Sequence, residues 1–118
     1  MHQALCTPQD ALKAYATSAA ARNPREREAD VFRQANAMLR HGEKAGGAAR
    51  VRALADNARL WTAVINLLQD PENALPVPLR AAIVSVGLAV QRESRREAPD
   101  FAFLLAVNEN VAAGLASA

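Results

Sequence analysis

Between Asn57 and Gln91 the chain reads NARLWTAVINLLQDPENALPVPLRAAIVSVGLAVQ, two apolar helical stretches around a loop with three prolines. Trp61, the only tryptophan, stands in the first stretch. In the second, from Pro78 to about Arg95, Leu79, Ile83, Val86 and Val90 make one face and Val84 and Leu88 another. Only Ser85 and Gly87 interrupt it. A helix that is apolar on every side must be covered. This pair is therefore the core of a domain, a docking site, or both.

A chain of 118 residues fits one domain, taken here as 1–118. Hydrophobic residues make up 51 % but aromatic ones only 4 %, so the core must be built from Ala, Leu, Val and Ile, which favours helices. Cys6 has no second cysteine to pair with, which suits a reducing compartment. The start, MHQALCTPQDALKAY, lacks a basic stretch followed by a long apolar run. The longest uncharged apolar run, Ala81 to Val90, is too short for a bilayer. The expectation is a cytoplasmic protein with no membrane partner.

Helix punctuation divides the chain. Thr7-Pro8-Gln9-Asp10 predicts a start at Thr7, with Ala11, Leu12, Tyr15, Ala16 and Ala19 on one face to about Ala21. Asn23-Pro24-Arg25-Glu26 repeats the signal. Val31, Phe32, Ala35, Met38 and Leu39 follow at helical spacing, with Arg27, Asp30, Arg33, Asn36 and Arg40 opposite. Gly46-Gly47 predicts the stop. The next helix runs from about Ala48 to Gln69. Val51, Leu54, Ala55, Ala58, Trp61, Ile65 and Leu68 form its main stripe, and Leu60, Val64 and Leu67 a second one beside it. Pro71 ends it. After the helix of 78–95, in which Gly87 reads as a point of close approach for a neighbour, Pro99 and Asp100 open the last. That helix carries Phe101, Leu104, Leu105, Val111 and Leu115 on one face, to about Leu115. Asn108 falls on the same stripe, while Phe103 and Val107 point elsewhere. The prediction is an all-α domain, a single bundle of about five helices with short connections.

Catalytic chemistry has no foothold in the sequence. His2 and His41 have no second ligand at metal spacing, and Cys6 has no histidine partner motif. Ser85 is not in a nucleophile elbow, and Gly46-Gly47 is not followed by the Lys-Ser/Thr of a phosphate loop. The carboxylates Asp70 and Glu72 sit in a proline loop and read as turn residues. The expectation is no enzyme, no metal and no cofactor. Basic side chains outnumber acidic ones from Arg22 to Arg59, and the balance reverses from Leu60 onward. The arginines are interleaved with acids and lack aromatics for base stacking, so a solvated mixed-charge surface is favoured over a nucleic-acid interface.

The apolar surplus then has two readings. Either the helix of 78–95 is the central one, or it and its predecessor present a groove to an amphipathic partner helix. The pattern favours the core. Trp61, Leu68, Leu79, Ile83 and Val86 are assigned to it, leaving the second stripe as the docking candidate.

Three motifs carry a resemblance. They are Asn57-Ala58-Arg59-Leu60-Trp61; Asp70-Pro71-Glu72-Asn73-Ala74-Leu75-Pro76 followed by Leu79-Arg80-Ala81; and Val107-Asn108-Glu109-Asn110-Val111-Ala112-Ala113-Gly114-Leu115. Together they resemble the FlaF family of flagellar biosynthesis regulators, most closely over 53–92. The resemblance implies a cytoplasmic, non-enzymatic factor of flagellum assembly. Such a factor binds flagellin as a chaperone-like partner, promotes its export and synthesis, and acts with the FlbT protein. The other reading it leaves is a post-transcriptional regulator acting through flagellin mRNA or through FlbT. It marks Asn57, Trp61, Asn73, Leu75, Pro76, Leu79, Arg80 and Asn108 as family-motif and core residues. Combined with the second stripe, it leads to the expectation that Leu60, Val64, Val84, Leu88 and Val107 form a surface for a terminal helix of flagellin.

Overall fold

The computed structural model describes residues 24–117 together with Pro8 and Gln9. The helix expected over 7–21 lies outside the described residues apart from those two. The others are all present: α1 (Pro24–Ala45), α2 (Gly47–Gln69), α3 (Val77–Ser94) and α4 (Phe101–Ala116). The described residues contain no strand, and none of their helices is long and apolar enough to cross a membrane. The protein is all-α.

The breaks fall where the punctuation puts them. Gly46 and Gly47 both take positive φ, 69° and 55°, a region costly for any side chain with a Cβ, and so turn α1 into α2 without a loop. Asp100 caps α4 by accepting a hydrogen bond from the Phe103 amide at 3.1 Å. Its own amide donates to Glu93 at 2.7 Å, which ties the end of α3 to the start of α4.

The segment 70–76 is held by side chains. The last carbonyls of a helix have no partner within it and need donors from elsewhere. Asn73 Nδ2 donates to the Leu67 carbonyl at 3.0 Å, while Asn73 Oδ1 accepts from the Leu75 amide at 3.0 Å. Arg80 reaches back from α3, donating through Nε to the Leu75 carbonyl at 3.0 Å and through Nη1 to the Leu68 and Asp70 carbonyls at 3.3 Å each. One guanidinium thus fixes the angle between α2 and α3. Arg80→Ala should cost about 1.5–3 kcal/mol, the range for hydrogen bonds from a charged donor. Arg80→Lys should recover only part of it, because an ammonium lacks the planar fork. Urea unfolding of the three proteins measures both.

The helices form a row rather than a ring. α1 packs along both α2 and α4, α3 packs along α2, and α3 barely touches α4. The core therefore lies between α1, α2 and α4. It contains Ala29, Phe32, Leu39, Ala53, Trp61, Phe101, Leu104 and Ala112, with Val90 reaching in from α3. Phe32 meets Trp61 edge to face, with ring centroids 5.7 Å apart.

Three expectations are corrected here. The apolar helix of 78–95 is not central: α3 flanks the bundle. Leu79 and Val86, assigned to the core, are 47 % and 40 % exposed. Gly87 explains why. A Cβ on it would lie 2.9 Å from Ile65 Cγ1 and 3.0 Å from Trp61 Cε3, so the smallest residue of α3 faces α2, with Val90 also inward and Leu79, Val86 and Leu88 outside. Val51, placed on the main stripe of its helix, is also exposed. Finally, Asn36, assigned to the polar face of α1, is buried, and Val31, assigned to the apolar face, is half exposed. The inward face of α1 is Ala29, Phe32, Asn36, Leu39 and Gly42.

The glycines yield predictions of opposite sign. Gly87→Ala gains about 1 kcal/mol of helix propensity but must push Ile65 and the Trp61 ring aside, at about 1–3 kcal/mol, so a net loss of about 1 kcal/mol is expected. Gly114, also helical, has nothing within 4 Å of its would-be Cβ. Gly114→Ala should stabilise by about 0.5–1 kcal/mol. Thermal unfolding midpoints moving the same way in both variants would contradict this packing of α3.

Candidate functional site

Antiparallel neighbours bring the start of α1, the ends of α2 and α4, the start of α3 and the segment 70–76 to one end of the bundle. An apolar groove of about 280 Å³ lies there. α1 supplies Val31 and Phe32; α2 supplies Leu60, Ala63, Val64, Leu67 and Leu68; Leu75 and Ile83 close the loop side; Val111 and Leu115 line the α4 side. Its polar rim consists of Arg25 and Glu28, which are ion-paired at 2.9 Å, and Asn73. Leu67 is 65 % exposed and Val31 50 %, which is much uncovered aliphatic surface for one end of a small bundle. The walls are aliphatic and the polar groups stand at the rim. Such walls offer side-chain-sized sockets to another apolar surface.

A buried polar network lies deeper, between α1, α2 and α4. Trp61 Nε1 donates to Asn108 Oδ1 at 2.9 Å. An indole N–H can only donate, so the Asn108 amide is oriented by it. Asn108 Nδ2 then faces two oxygens, Asn57 Oδ1 at 2.7 Å and Asn36 Oδ1 at 3.0 Å. Asn36 Nδ2 in turn donates to the Leu105 carbonyl at 3.0 Å. Among the described residues only Asn57 Nδ2 is a buried side-chain polar atom without a partner. Each asparagine comes from a different helix, so the network sets the register of all three and holds the floor of the groove through Trp61 and Phe32.

The expected docking residues do not make one surface. Leu60 and Val64, half-buried, are brought together in the groove with Leu67 of the same stripe. Val84 and Leu88 lie on α3 away from the groove lining, Val84 half-buried and Leu88 47 % exposed. Val107 is half-buried against the core on α4. Of the motif residues, Asn57, Trp61 and Asn108 belong to the network, and Asn73, Leu75 and Arg80 to the α2–α3 connection. Pro76 and Leu79 are exposed.

Val31, Leu75, Ile83, Val111 and Leu115 belong to the groove and were not foreseen there. Each sits on an apolar helix stripe or in the proline loop, and nothing in spacing alone says that these elements converge at one end. Asn36 did carry a signal. It lies four residues after Phe32 and three before Leu39, in the middle of a buried stripe.

A family model described as flagellar protein FlaF matches residues 11–115 of the chain. Set against curated proteins and against solved structures, the chain finds no match.

Proposed function

The chain belongs to the FlaF family of flagellar proteins, and from that premise we propose that it is a non-enzymatic, cytoplasmic assembly factor that binds flagellin. It holds an amphipathic flagellin helix in the groove between α1, α2 and α4, and so keeps that helix from self-association before export. The observation that carries this reading is the groove itself. Leu60 and Val64, half-buried, and Leu67, exposed, form a stripe along its α2 wall, the kind of apolar surface that takes the anchors of a helix laid in a groove. Acting with FlbT, the same complex would couple flagellin synthesis to its export.

The surface charges favour this over contact with flagellin mRNA. Arg33 pairs with Asp30, Arg40 with Glu109 and Arg59 with Asp56, and Arg50 stacks over Phe101 at 4.6 Å. The basic segment is thus laced with carboxylates along its length, a poor track for phosphates.

Mixing the protein with monomeric flagellin and following co-elution by size-exclusion chromatography tests the reading. Complex formation should persist at about 1 M salt, where the screening length is about 3 Å. Absence of a complex overturns the proposal. A complex that disappears as salt rises would replace groove docking by an electrostatic contact.

A further inference from the structure

We infer that the outer face of α3 pairs with the same face of a second copy of the chain, antiparallel about a two-fold axis near Ser85. α3 ends the row of helices: it packs along α2 and barely touches α4. Val77, Leu79, Val86 and Leu88 are 66 %, 47 %, 40 % and 47 % exposed on it. From Ala81 to Gln91 the sequence has no charged side chain. Gln91 is turned inward, its amide donating to the Ala58 carbonyl at 3.0 Å and to Thr62 Oγ1 at 2.7 Å. The outer surface over these turns is therefore apolar apart from the Ser85 hydroxyl.

Charge selects the occupant and its direction. Asp70 and Glu72 stand exposed just before α3, and Arg92 and Arg95 stand exposed at its end. Among the described residues none of these four side chains is in an ion pair. Glu93, beside the arginines, is taken up by Arg96 and by the Asp100 amide, and Glu97 follows beyond the helix. An 18-residue helix is about 27 Å long, several screening lengths, so the two ends do not reach each other within one copy. An antiparallel copy sets each basic end against the acidic turn of the other, twice by symmetry, whereas a parallel copy opposes like charges.

With the axis at Ser85, Leu88 of one copy lies against Ala81 of the other, and Val86 meets its own counterpart. The four large side chains leave roughly 300 Å² uncovered per copy, and with the alanines and arginines a pair comes to about 1,000 Å², the low end of specific interfaces. A dissociation constant on the order of 10 µM is expected. Pairing leaves both grooves open, since Ile83 is the one α3 residue in the groove lining and is half-buried on the inward side. The inference therefore does not rest on the flagellin reading.

Sedimentation equilibrium of the full chain from about 1 to 300 µM tests it. A monomer–dimer equilibrium is expected, and a monomer throughout overturns the inference. Leu88→Asp should weaken the dimer at least about 30-fold, and Leu67→Asp, in the groove, by less than about threefold. A dimer lost only with Leu67→Asp gives the contact to the groove and overturns the pairing of α3, as does a dimer indifferent to both. Direction is read by charge reversal at low salt. Arg92→Glu and Glu72→Arg should each weaken the dimer about tenfold, because symmetry repeats every contact. The double variant should return to within about threefold of the unaltered chain. A double variant weaker than either single one overturns the antiparallel arrangement.

Discussion

Asn108→Ala is expected to lower the unfolding free energy by about 3–5 kcal/mol, much of what a domain of this size has. The reason is the number of groups left behind. Asn108 is fully buried and satisfies the Trp61 indole and the oxygens of Asn36 and Asn57 together. Each orphaned buried group costs about 1–3 kcal/mol, and alanine also leaves a small cavity. Denaturant unfolding measures the loss, with Arg40→Ala as the reference. Arg40 makes an exposed ion pair with Glu109, worth at most about 1 kcal/mol. If Asn108→Ala cost no more than Arg40→Ala, the network would not be holding the bundle together.

Trp61→Ala should be comparably severe, about 3–5 kcal/mol. Trp61 is fully buried, meets Phe32 edge to face and carries Gly87 of α3 against its ring. Its loss opens a cavity at the junction of all four helices. Trp61→Phe separates the two roles: it keeps most of the ring and removes the N–H, at an expected cost of about 1–2 kcal/mol. Because that N–H has Asn108 as its acceptor, Trp61→Phe and Asn108→Ala should be non-additive by about 1 kcal/mol or more. Strict additivity would mean that the indole hydrogen bond contributes nothing.

Boundaries were legible because they depend on local chemistry. Pro24, Gly46-Gly47, Pro71, Pro78 and Asp100 each impose a backbone constraint that neighbours cannot override, and each stands at or beside an observed helix end. The second stripe of α2 was legible for a similar reason, since periodicity records a wide apolar face whatever covers it. What covers it is a long-range matter. The all-round apolarity of α3 argued for a central helix, yet Gly87 brings the axis of α3 close to α2 and leaves Leu79, Val86 and Leu88 on the outside. Val84, Leu88 and Val107 failed to join Leu60 and Val64 because membership of one groove depends on how three helices meet end to end. Asn36 was misplaced because a polar side chain reads as outward until its partners are known, and these lie far away along the chain, at Leu105 and Asn108.

The resemblance pointed to Asn57, Trp61 and Asn108 without saying what joins them. The structure supplies the join: the motif residues make the frame, and the aliphatic groove is mounted on it. That division predicts how substitutions sort. Changes in the frame should cost stability first, and changes on the groove wall should cost binding while leaving the fold intact.

The most direct test is a calorimetric titration of monomeric flagellin into the unaltered protein, Leu67→Asp and Leu88→Asp. Both leucines are exposed, so both variants should fold, and only Leu67 lines the groove. Leu67→Asp is predicted to weaken binding by about 100-fold, equivalent to about 2.7 kcal/mol, and Leu88→Asp to change it by less than about threefold. Flagellin binding unaffected by Leu67→Asp, or weakened only by Leu88→Asp, would contradict the groove as the site that holds it.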